Sequence, residues 1–173
     1  ASPVSLPGSQ IYENLVSGAI DATEWVGPWN DSFMKFYEAA KFYYWPGFHE
    51  PGTMESFGIN KAFWDKLSKA DQKMFEAAAA LENNLLYSEY CWNNGASMKK
   101  LVEEHGVQLR EFSDDIFDAA GEATAEVFEE YRADSNLTAR VLDSMLAARK
   151  SVGSWMNTSE VPFIAQRNRV LGI

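Results

Sequence analysis

Two acidic and aromatic runs carry most of the chemistry available to this chain. In Gly18-Ala-Ile-Asp-Ala-Thr-Glu-Trp-Val-Gly-Pro28, the carboxylate of Glu24 stands beside the indole of Trp25. The pair lies near the end of what reads as a short strand, and a Gly-Pro turn follows at once. A carboxylate is rarely buried unless paired, so Glu24 suits a cation or an orienting hydrogen bond better than a core. The second run, Tyr43-Tyr-Trp-Pro-Gly-Phe-His-Glu50, repeats the theme and adds Glu50. Together they suggest a small-molecule pocket with aromatic walls and a few carboxylates. The bland alternatives are a solvated or helix-capping Glu24 and a core Trp25. Alternation along a strand sends Tyr44 to one face and Tyr43 with Trp45 to the other, so at least one face should be core.

The elements that must position these residues read as an α/β chain with a mostly parallel sheet flanked by helices. Val4–Pro7 reads as a strand. Ser9 can cap a short helix through Val16, with Ile11 and Leu15 on one face and Gly18 as its stop. Ile20–Val26 reads as the next strand, which would make a βαβ unit with a parallel pair. Pro28–Ala40 has Phe33, Phe36 and Tyr37 at helical spacing, and Lys41–Trp45 is an aromatic strand ended by Pro46-Gly47. Met54–Ile59 reads as a strand and Asn60–Leu67 as a short helix. Ser68 and Asp71 form a capping-box pattern that opens a long helix to about His105, with Gly106 as its stop and a candidate kink at Asn93-Asn94-Gly95. Val107–Phe112 alternates as a strand, and Ser113 caps an acidic helix over Asp114–Ala133. Asn136 opens a helix striped by Leu137, Val141, Met145, Ala148, Val152 and Trp155. Ser159–Val170 closes the chain as a helix, with Pro162 tolerated in its first turn. Residues 1–135 read as an α/β lobe and 136–173 as a helical extension. That extension either packs on its own domain or docks on another subunit.

Bulk properties narrow the class. With 173 residues, 46% of them hydrophobic and 14% aromatic, six Trp included, the chain is an ordinary globular one with enough length for a core. A net charge of -10 and a pI near 4.6 oppose nucleic-acid phosphates and anionic membranes, and an anionic ligand would need a local cation. The single cysteine, Cys91, builds neither a disulfide nor a zinc site, and its helical setting predicts a buried thiol. No apolar run reaches membrane-spanning length and no signal peptide is visible. The start at Ala1 suggests a processed chain or a piece of a longer one.

Leu6-Pro-Gly-Ser-Gln-Ile-Tyr12, the Gly18–Pro28 run, Tyr43-Tyr-Trp-Pro-Gly47 with Glu50, and Trp155-Met-Asn-Thr-Ser-Glu-Val-Pro162 resemble the DctP-type substrate-binding proteins of TRAP transporters. Within them the chain is similar to the binders of 2-oxo or 2-hydroxy monocarboxylates such as pyruvate or lactate. The resemblance implies a periplasmic, two-lobed receptor that closes on its ligand and delivers it to a membrane permease. It implies a sodium or calcium ion bridging the substrate carboxylate. Glu24 then matches the family's metal-coordinating glutamate, Trp25 a residue that meets metal and substrate, and Glu50 a carboxylate that reaches the same site. It also implies a homodimer in which the C-terminal helix is exchanged. Family members are about twice this length, and the arginine that pairs with the substrate carboxylate is expected before the Ala1 position. Arg110, Arg132, Arg140, Arg149, Arg167 and Arg169 all lie outside the pocket motifs.

The residues favour binding over catalysis. No Ser/His/Asp arrangement, phosphate loop or HExxH motif occurs, and no catalytic residue is assigned. His49 and His105 join no motif, and His105 suits a helix C-terminus. Glu24 and Glu50 as a paired-carboxylate hydrolase site form the enzymatic alternative. A helical oligomerisation module built on 136–173 forms the non-enzymatic one.

Overall fold

The computed structural model describes residues 2–53 and 55–173, which group into two compact units, residues 1–112 and 113–173. The chain is mixed α/β and mostly helical, with one small parallel sheet.

In the first unit, α1 (Gly8–Ser17) is followed by α2 (Pro28–Phe33), α3 (Phe36–Ala39), β1 (Phe42–Trp45), α4 (Lys61–Trp64), α5 (Lys69–Glu103) and β2 (Gln108–Glu111). β1 and β2 pair in parallel with Phe42 opposite Gln108 and Trp45 opposite Glu111. The ladder is extended at both ends by Gln108 N–H to the Lys41 carbonyl (2.8 Å) and Phe112 N–H to the Trp45 carbonyl (2.9 Å). α5 opens on the expected capping box: Ser68 Oγ accepts from Asp71 N–H at 3.1 Å and Asp71 Oδ2 accepts from Ser68 N–H at 3.3 Å. Such a cap contributes about 1 kcal/mol. Gly18 and Gly106, the two predicted helix stops, both adopt the left-handed conformation (φ 74° and 68°), which costs glycine nothing. The turn at Gly106 lets Val107 N–H reach back to the Leu101 carbonyl at 2.9 Å, and both side chains are buried. Among the described residues, Ile11, Phe36, Leu101 and Val107 are the buried apolar ones of this unit. α2 packs on α5, with Trp29 edge-on to Tyr90 at 5.1 Å, and α1 packs on α3, with Tyr12 Oη donating to Glu38 Oε2 at 2.6 Å.

In the second unit, α6 (Asp114–Asp134) packs on α7 (Asn136–Met156), and α8 (Glu160–Leu171) follows. Ser135, one residue before the expected start, caps α7 by accepting from Thr138 N–H. Arg132 Nη1 donates to Asp143 Oδ1 at 2.6 Å and Arg149 lies over the Phe128 ring at 5.8 Å. Leu142 is buried, but Leu137, Val141, Met145, Ala148, Val152 and Trp155 are exposed. α6 and α7 pack on each other within this unit.

Several expectations are corrected. Residues 4–7 and 20–26 form no strand, so no early βαβ unit is present among the described residues. Alternation favours a pleated surface, but a strand needs a neighbour's hydrogen bonds, and among the described residues only β1 and β2 supply them. Residues 55–59 likewise form no strand, and Met54 lies outside the described residues. α1 starts at Gly8 without a side-chain cap rather than after a capping Ser9. The expected single helix over 28–40 is two, because Lys35 adopts a left-handed conformation (φ 56°) that ends α2 and redirects Phe36 into the core. α5 continues helically through Asn93-Asn94-Gly95. Cys91 is exposed rather than buried, as is its neighbour Trp92 on α5.

Candidate functional site

The segment carrying Glu24 and Trp25 has no strand partner, so its ends are held by other means. At its start, Ile20 N–H bonds the Asn14 carbonyl at 3.3 Å, just after the Gly18 stop. At its end, Asp31 Oδ1 accepts from Val26 N–H (3.4 Å) and Gly27 N–H (3.3 Å), while Asp31 Oδ2 accepts from the Tyr43 hydroxyl at 2.6 Å. Asp31 therefore ties the loop to β1. Asn94 on α5 adds a second tie, its Oδ1 accepting from Trp29 N–H at 3.0 Å. Sequence reading missed both. The available signal for Asp31 was an acidic residue in the first turn of a helix that begins with Pro28.

Burial raises the pKa of Asp31, an effect that the Tyr43 hydroxyl and the two backbone amides partly offset. Burial and the neighbouring carboxylate push the Tyr43 phenol well above the usual tyrosine value. The folded chain keeps a phenolic proton that an unfolded tyrosine, titrating at 10.0, gives up. The Tyr43 contribution is therefore complete below pH 10 and is lost as pH rises beyond it. Denaturant midpoints measured from roughly pH 9 to 11 should fall for the native chain and fall less for Tyr43→Phe. Parallel slopes would show that Tyr43 is not the group responsible.

The Trp25 indole is half-buried and lies against α1. A Cβ at Gly8 would sit 2.6 Å from its Cη2, so only glycine at that position leaves room for the ring. Glu24 is exposed, and its Oε1 is 3.7 Å from His49 Nε2. Glu50, next to His49, is also exposed. The structure thus brings His49, left aside in sequence reading, to Glu24. Tyr44 stacks on Phe112 at 5.1 Å, Phe112 meets the Phe48 edge at 5.4 Å, and Phe48 meets the His49 edge at 5.2 Å. The aromatic wall is real, but Glu24 and Glu50 are on open surface. An apolar depression of about 460 Å³ lies elsewhere, lined by Phe57, Trp64 and Phe75 among others.

Oxygen donors suited to a hard cation are present: two solvent-facing carboxylates and the Trp25 carbonyl, which accepts no hydrogen bond from the described residues. The described residues hold no group of three or more His, Cys, Asp or Glu that could hold a metal ion. A shell here would need main-chain and ligand oxygens as well. Several arginines are engaged locally: Arg110 donates to Gln108 Oε1 at 2.7 Å, Arg132 to Asp143, Arg167 to Asn168 and Arg169 to Gln166. No helix among the described residues is long and apolar enough to cross a membrane.

Residues 1–134 match the family model described as bacterial extracellular solute-binding protein, family 7. A monocarboxylate 2-oxoacid-binding periplasmic protein from Nostoc sp. is 34% identical over 158 residues, covering 91% of this chain and 43% of the relative. A TRAP periplasmic solute-binding protein from Colwellia psychrerythraea, solved with calcium and pyruvate, superposes with a TM-score of 0.91 at 32% identity, covering 96% of this chain and 51% of that one. One from Pseudoalteromonas atlantica with sodium and pyruvate gives 0.87 at 31%, covering 95% and 50%. A mixed-occupancy dimer from Bordetella bronchiseptica, with calcium and picolinate in one site, gives 0.90 at 25%, covering 98% and 50%. The chain spans about half the length of the proteins it matches. It belongs to the family 7 extracellular solute-binding proteins of bacteria.

Proposed function

We propose that the chain forms part of a periplasmic TRAP-transporter receptor. That receptor binds a small 2-oxo or 2-hydroxy monocarboxylate, such as pyruvate or lactate, with a calcium or sodium ion and passes it to the membrane permease. One observation carries the reading: the open oxygen set at Glu24 and Trp25, in a chain whose solved neighbours hold those cations with pyruvate or picolinate. Glu24, the Trp25 carbonyl and Glu50 are assigned to the metal, and Trp25 and Glu50 also to the substrate. The bound cation supplies positive charge that lets an anion approach a chain of net charge -10. Gly8 and α1 fix the indole wall, and Asp31 with Asn94 fix the loop that carries it. Binding and closure need no covalent step, so no residue is assigned a catalytic role.

Chelating the cation from the intact protein is expected to weaken pyruvate binding about a hundredfold, or ~2.7 kcal/mol. Titration calorimetry with and without chelator measures this, and equal affinity would remove the bridging cation from the reading.

A second reading concerns assembly and is favoured by the exposed stripe on α7. An uncovered apolar face of this kind marks an interaction surface, here assigned to a homodimer contact through residues 136–173. Sedimentation should find a dimer that becomes a monomer when those residues are removed. A monomer at high micromolar concentration with the residues present would refute it.

A further inference from the structure

We propose that His49 is a positioning residue for Glu24, held by an aromatic relay that starts at the sheet. The inference rests on the reading of Glu24 as a cation ligand. Glu24 sits on a segment with no strand partner among the described residues, and the hydrogen-bonded anchors of that segment lie at Ile20 and at Val26–Gly27, on either side of it, with the Trp25 indole packed on α1 beside it. Its carboxylate faces His49, with Nε2 3.7 Å from Oε1, an electrostatic contact slightly longer than a hydrogen bond. His49 lies in the loop after β1, where Phe48 meets it edge-on (5.2 Å, 85°). Phe48 in turn meets Phe112 (5.4 Å, 76°), and Phe112 stacks on Tyr44 of β1 (5.1 Å, 28°). Phe112 itself is tied to β1 through its N–H to the Trp45 carbonyl. The imidazole is therefore referenced to both strands, and Glu24 is referenced to the imidazole.

Stability is not what the pair serves. The two side chains are 43% and 45% exposed, and exposed ion pairs add little to folding. What it does provide is orientation: one carboxylate oxygen faces the imidazole, which leaves the other for a cation. Groups that orient a metal ligand in this way typically change metal affinity 10- to 100-fold.

The test uses calcium alone, titrated calorimetrically into the intact protein at one fixed pH, with melting temperatures in parallel. His49→Ala should weaken calcium binding about 10- to 100-fold with little change in melting temperature. His49→Gln, whose amide nitrogen donates from a similar reach, should recover most of the loss. Native affinity in His49→Ala, while Glu24→Ala loses binding, overturns the positioning role and leaves the proposed function intact. Equal loss in His49→Ala and His49→Gln, or a lower melting temperature with calcium affinity kept, also overturns it. Native calcium affinity in Glu24→Ala refutes both this role and the ligand reading beneath it.

Discussion

Leu101→Ala is expected to destabilise the first unit by about 3 kcal/mol, within the range of 2–5 kcal/mol typical of core leucine truncations. Leu101 is 2% exposed and is the most deeply buried apolar side chain among those described. It stands two residues before the end of α5, where the Gly106 turn brings Val107 back to its carbonyl and starts β2. A cavity there loosens the junction between the long helix and the sheet that carries Tyr43 and the aromatic wall. Few other apolar side chains are buried in this unit, so little surrounding structure can collapse into the gap. A loss of this size is a large fraction of a domain's usual margin of 5–15 kcal/mol. Urea unfolding should show a lower midpoint at an unchanged slope. A change below about 0.5 kcal/mol, the level of an ordinary surface substitution, would mean that the α5–β2 junction is not the core of the unit.

Glu24→Ala is expected to act on binding and leave folding nearly unchanged. Glu24 is exposed and contacts only His49 among the ion pairs of the described residues, so its removal should change stability by no more than about 0.5 kcal/mol. On the proposed role of Glu24 as a cation ligand, its loss should weaken calcium binding in the intact protein about a hundredfold, or ~2.7 kcal/mol. If cation and pyruvate bind as a coupled pair, linkage requires pyruvate affinity to fall as well. Calcium and pyruvate titrations of the same variant measure both. Unchanged affinity for both would remove Glu24 from the site. Loss of calcium affinity with pyruvate affinity kept would separate the ion from the substrate.

What sequence alone determined here is local. The Ser68–Asp71 box, the stops at Gly18 and Gly106, the aromatic strand ended by Pro46 and the helices over 114–134 and 136–156 each depend on residues a few positions apart. A cap or a left-handed glycine is satisfied by its own neighbours, so it reads correctly before any tertiary contact exists. The family was legible for a similar reason, since Glu24-Trp25 before a Gly-Pro turn is a contiguous pattern. Tertiary structure decided what depends on distant partners. Residues 20–26 read like a strand, but pairing needs a second chain segment, and none among the described residues pairs with them. Cys91 and the α7 stripe have the spacing of buried positions, yet burial depends on what packs over a helix face, and these positions stay exposed. Asp31 and Tyr43 are 12 residues apart and Glu24 and His49 are 25 apart in sequence, so neither pair has a local signature. The hydrogen bond of the first and the close approach of the second exist only because β1 and its following loop return beside the segment that carries Glu24.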